Sequence, residues 1–139
     1  MMFAPTRSRS SSALLSAMLA LFVVVTGPSK PAQAMVTFTD WFKLGANALK
    51  DWDVAPTPGN ASSLRLKPKR LLSSQPLRRI LVLYPRKSSA YDTAMTTFVN
   101  VVMDKRINAD FTVINFQLDD QRGKAALEFA ESSNFDLIL

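Results

Sequence analysis

The last 63 residues of this chain, 77–139, read as an α/β unit: three parallel strands joined by two helices, βαβαβ. Three observations predict it. Ile80–Tyr84 (ILVLY) is a continuous apolar run closed by Pro85, the pattern of a strand covered on both faces. Ala109–Phe116 (ADFTVINF) and Phe135–Leu139 (FDLIL) have strand composition. The segment before each of these two has the length and periodicity of a helix, and right-handed crossovers then order the strands two, one, three, with the third at an open edge. Ahead of this unit the sequence divides into a signal peptide (1–34), a short amphipathic helix (35–53) and a basic Pro/Ser-rich linker (54–76).

The amino terminus carries the three features that translocation reads in order. Arg7 and Arg9 supply positive charge, Ala13–Val25 is apolar except for Ser16, and Ala32-Gln33-Ala34 offers the small-residue cleavage site. The apolar run has 13 residues, against the roughly 20 needed to span a bilayer as a helix. Cleavage is therefore expected after Ala34, giving a periplasmic protein with no stable membrane insertion. The chain has no cysteine, so it has neither a lipidation site nor disulfides, and it has no histidine. Cys/His zinc sites, Ser-His or Cys-His nucleophiles and histidine acid/base chemistry are thereby excluded.

Removing 34 of 139 residues leaves 105, enough for one small domain. The formal charge of +6 falls to about +3, because Arg7, Arg9 and Lys30 leave with the signal. What remains is unevenly spread. Val54–Tyr91 has no acid but contains Arg65, Lys67, Lys69, Arg70, Arg78, Arg79, Arg86 and Lys87. Such a stretch could meet nucleic acid or an anionic membrane surface; interleaved aromatics for base stacking are missing, so it reads as a solvated connector with no nucleic-acid partner.

In residues 36–53, Phe38, Trp41, Phe42, Leu49 and Trp52 recur at intervals that stack on one helical face. Thr39 or Asp40 would cap that helix, and its aromatic face would pack on the following domain or dock on a partner or membrane surface. Pro56, Pro58, Pro68 and Pro76, with Gly59 and several serines, predict an extended linker over 54–76. Ser89–Arg106 then reads as a helix, Ser89 and Asp92 fitting a capping box. Ala94, Phe98, Val101, Val102 and Lys105 would share one side of it. A second helix is expected over about 121–132, with Asp119 and Asp120 at its start.

Open parallel sheets bind ligands beyond the carboxyl ends of their strands. The loop Pro85–Tyr91 after the first strand offers two cations, two hydroxyls and an aromatic ring, and Ser88, Ser89 and Tyr91 are the candidate ligand-binding residues. Each has a structural alternative: Ser89 as a cap, Tyr91 as a packing residue. Asp119 and Asp120 serve as caps before they serve as a carboxylate pair. No GxGxxG or GxxxxGK[ST] loop is present, and the Ser88–Thr93 stretch lacks the glycine of a flavodoxin-like phosphate loop.

Residues 79–139, through the apolar strand, the Ser-Ser-Ala-Tyr loop and helix, the second strand and helix, and the F-D-L-I strand, resemble the opening of the substrate-binding proteins of ABC importers. The resemblance is to the branch with a type I periplasmic-binding fold. It implies a partial first lobe of that fold and an amino-terminal fragment of a two-lobed protein. It also implies a non-enzymatic periplasmic component without a cofactor, whose partners are a small-molecule solute and a membrane permease. A ligand-sensing ectodomain of the same fold and a small exported flavodoxin-like enzyme are the alternatives. Residues 36–76 are not explained by the family fold.

Overall fold

The computed structural model describes residues 33–139. The signal peptide expected over 1–34 lies, apart from its last two residues, outside the described residues. The elements that follow are β1 (Met35–Thr37), β2 (Lys43–Gly45), β3 (Trp52–Thr57), β4 (Asn60–Pro68), β5 (Arg78–Tyr84), α1 (Ser89–Asp104), β6 (Ala109–Asn115), α2 (Asp120–Ser132) and β7 (Leu137–Ile138), with a 3-10 turn at Ala48–Lys50.

Five strands form one mixed sheet in the order β3-β4-β6-β5-β7, and β1 and β2 pair separately. β5 is parallel to β6 and to β7, whereas β4 runs antiparallel to both β3 and β6. This corrects the expected three-stranded parallel βαβαβ unit, the partial first lobe of a type I periplasmic-binding fold. The sheet is neither three-stranded nor wholly parallel, because residues assigned to a linker form two of its strands.

That linker, 54–76, is mostly a β-hairpin. Leu64 and Leu66 are fully buried and alternate with Arg65 and Lys67, the period of two that a half-buried strand requires. The prolines fit without breaking it. Pro56 lies in β3, an edge strand that needs no outward amide donor, and the register shifts beside it. Pro58 and Gly59 make the turn, where Gly59 has φ +75°. Pro68 ends β4.

The expected amphipathic helix over 35–53 is likewise absent. Its aromatic spacing fits a helix, but the local sequence Val36-Thr37-Phe38-Thr39 favours extended backbone, and Trp41, Phe42, Leu44 and Trp52 are buried by tertiary packing against the sheet. The amides of Phe38 and Thr39 both donate to the Phe42 carbonyl, closing a tight loop between β1 and β2. Trp41 Nε1 donates to Ala61 O at 3.1 Å, tying that loop to β4.

One face of the sheet carries the main core. Leu64, Leu66, Ile80, Val82, Phe111 and Val113 meet Met95, Val99 and Val102 of α1. Burying each of these aliphatic side chains contributes about 1.5–3 kcal/mol. The inner face of α1 is Asp92, Met95, Thr96, Val99 and Val102, while Val101 is exposed; the stripe is rotated from the expected one because both fit the same helical intervals. Gly45 lets β2 approach α1. Its amide donates to Thr96 Oγ1 at 3.0 Å, and a Cβ there would stand 2.6 Å from Thr96 Cγ2. Between the hairpin and β5, Asn108 holds the connector: its Nδ2 donates to the carbonyls of Ser73 and Gln75, and its Oδ1 accepts from Leu72 N at 2.8 Å.

Candidate functional site

The candidate residues Ser88, Ser89 and Tyr91 lie where β5 gives way to α1. Ser88, with extended backbone, is the residue that caps the helix; its Oγ accepts from Ala90 N at 3.2 Å. Ser89 is the first helical residue, and its carbonyl accepts from Thr93 Oγ1 at 2.9 Å. The cap is therefore one residue earlier than the sequence suggests. Asp92 does not reach back to form a capping box: its Oδ1 accepts instead from Lys43 N of β2 at 3.2 Å.

Tyr91 is drawn toward the sheet. Its ring stands 5.7 Å from that of Tyr84, and the Tyr84 hydroxyl donates to the Tyr91 carbonyl at 3.0 Å. Together with Pro85, Ala94, Met95 and Phe98, these two tyrosines line an apolar hollow of about 310 Å³. Ser88 and Ser89 do not line it; they stand beside it at the helix start. Of the three candidates the structure thus brings one into a concave surface, and it adds Tyr84 and Phe98, which sequence reasoning assigned to a strand and a helix face. Their signal was present in the aromatic spacing across the loop.

The electrostatics around this corner are set by burial. Asp92 is 5% exposed, and desolvation raises its carboxyl pKa above the usual range. The Lys43 amide and the charges of Lys43 and Lys87 oppose that rise. Burial also raises the Tyr84 phenol, with the Asp92 charge adding to it. Tyr84 lines the hollow, whereas Asp92 stands behind it on the inner face of α1.

At the start of the second helix Asp119 is the cap, its Oδ1 accepting from Arg122 N at 2.9 Å. That accounts for one member of the Asp119 and Asp120 pair by local structure. Among the described residues no group of three or more acidic side chains is arranged to hold a metal ion, and no helix is long and apolar enough to cross a membrane.

No family model, curated protein or solved structure matches this chain.

A second, larger concavity lies on the other side of the sheet. It has a volume of about 720 Å³ and is bounded by β4, β6, Arg79 of β5 and the inner face of α2. None of Ser88, Ser89 and Tyr91 reaches it. Its lining includes Arg65, Arg79 and Arg122, residues of which the first two fall in the stretch read as a solvated connector.

Proposed function

We propose that this chain is an exported, non-enzymatic solute-binding component of an ABC-type importer, seating a small amphiphilic carboxylate at the carboxyl end of β5. The observation that carries the reading is the aromatic hollow formed by Tyr84, Tyr91 and Phe98, next to a loop that bears Arg86, Lys87 and the Ser88 hydroxyl. A solute's apolar part would enter the hollow and its carboxylate would face the two cations, a division of labour usual in small-molecule sites. The order of elements over 79–139 and the leader-like amino terminus support the transport role. The ligand assignment rests on this corner, and the importer role on the resemblance of residues 79–139.

Isothermal titration of the purified chain with a panel of aromatic and branched carboxylates tests it. Saturable binding is expected for at least one member, weakened about tenfold or more in Tyr91→Ala through the lost ring contact. A panel without any saturable binder, or binding that Tyr91→Ala leaves intact, would overturn the assignment.

A further inference from the structure

The face of the sheet opposite the main core is only half covered. Strand alternation sends Ser63 and Arg65 of β4, Thr112 and Ile114 of β6, and Arg79 of β5 to this side, and α2 covers it with Arg122, Ala125, Ala126 and Phe129. Those four helical positions recur at three, four and seven, so they form one stripe. Ala126 is buried, while the space toward β4 stays open. The result is the cleft of about 720 Å³, within the size range of small-ligand sites.

Its chemistry is unlike that of a gap left by loose packing. Three arginines line it, together with Thr112, Asn115 and Phe129, and no acidic residue is among its lining residues. Each arginine is held by a single side-chain or carbonyl partner. Arg65 Nη2 pairs with Asp110 at 2.5 Å, Arg79 Nη1 donates to Ser133 O at 2.5 Å, and Arg122 Nη1 donates to Gln117 Oε1 at 2.6 Å. Arg79 also lies 4.9 Å from the centre of the Phe135 ring. A guanidinium has five donors, so each keeps most of its donors for another acceptor. Asp110 offsets the charge of Arg65 and Asp136 lies beside Arg79, which leaves Arg122 as the arginine of the cleft with no carboxylate against it. Gln117 and the following Leu118 both have left-handed backbone, at φ +54° and +55°. This is a costly arrangement for side chains of this kind, and it occurs in the segment that holds Arg122.

Arginine forks match the oxygens of phosphate, hydroxyl and amide groups match sugar hydroxyls, and an aromatic ring packs on a sugar's apolar face. We infer that the cleft between α2 and β4 is a second binding site, separate from the β5–α1 corner, for a small phosphorylated polyol. Arg122 is the informative position. It is partnered by a neutral amide, so its loss strands no buried charge, whereas removing Arg65 would leave Asp110 unpaired.

The test is isothermal titration of the purified chain with glucose 6-phosphate, glucose and inorganic phosphate, with urea midpoints showing that each variant is folded. Glucose 6-phosphate is expected to bind at least about tenfold more tightly than inorganic phosphate, and glucose alone to show no saturation, since guanidinium contacts supply most of the affinity. Arg122→Gln is expected to weaken glucose 6-phosphate at least about tenfold, while Arg70→Gln, which removes the same charge from the exposed connector, leaves it unchanged. Thr112→Val, on the sheet floor, is expected to weaken the phosphorylated sugar more than it weakens inorganic phosphate. Absence of binding by glucose 6-phosphate, equal binding of glucose, or equal losses in Arg122→Gln and Arg70→Gln would each overturn the site.

Discussion

Asp92 shows how one buried side chain couples a loop, a helix and pH. It lies on the inner face of α1, accepts the Lys43 amide and is surrounded by Lys43, Lys87 and the Tyr84 phenol. Its proton is held more tightly in the folded than in the unfolded chain. The stability linked to it is therefore complete below the ordinary carboxylate pKa of about 4, and is lost as pH rises through the raised folded value. Asp136 works in the opposite sense. Its pKa is lowered by the Arg79 amide and then by Arg78, so its contribution is present above about 4 and is lost as pH falls through the lowered value. Asp92→Asn keeps an acceptor for Lys43 and removes the charge. Relative to the parent, its urea midpoint is expected to rise as pH increases from about 4 to 7; a constant difference would show that the burial of Asp92 is relaxed. Gly45 is a second such position. Thr96 cannot rotate away from an added methyl group without losing its bonds to Asp92 O and Gly45 N, at 2.8 and 3.0 Å. Gly45→Ala is expected to cost about 1–3 kcal/mol in chemical unfolding.

At the scale of elements, the hairpin β3–β4 decides what kind of molecule this is. Leu66 faces Phe111 across the β4–β6 pair and is fully buried. Leu66→Ala is expected to cost about 2–5 kcal/mol by urea denaturation; a solvated linker would lose almost nothing. Continuous apolar runs and helical stripes made β5, α1, β6 and α2 legible in the sequence to within a few residues, because those segments state their secondary structure locally. The hairpin was hidden by its own punctuation. Four prolines and a basic excess argued for a connector, and they outweighed the short alternation Leu64-Arg65-Leu66-Lys67 that marks a strand. Residues 35–53 misled in the opposite way, since Trp41, Phe42 and Trp52 have helical spacing but are placed by contacts with β5 and β6, residues 40 and more positions away. Of the candidate site, Tyr91 was legible as an aromatic residue in a loop after a strand. The arginine cleft was not, because it depends on which face of β4 each side chain takes.

For the whole molecule, the β4–β6 pairing makes the hairpin and the α/β segment one body, and the connector 69–77 links them along the chain. Asn108 is 2% exposed and satisfies three backbone groups of that connector, so its loss leaves several polar groups without partners. Asn108→Ala is expected to raise the rate of tryptic cleavage after Arg70 severalfold under native conditions, read by mass spectrometry, through local opening of the connector. The pairing of β4 with β6 carries a further consequence, for the order of events in folding. Leu66 meets Phe111 and Ser63 meets Ile114, separations of 45 and 51 residues. The β3–β4 hairpin can close within about 1–10 µs, yet β4 has no partner on its second edge until β6 is in place, and its apolar face has no cover until α1 packs on it. Such distant pairing slows folding. During synthesis from the amino terminus, Trp52, Leu64 and Leu66 emerge well before the residues that bury them, so the growing chain exposes apolar side chains that the finished fold hides.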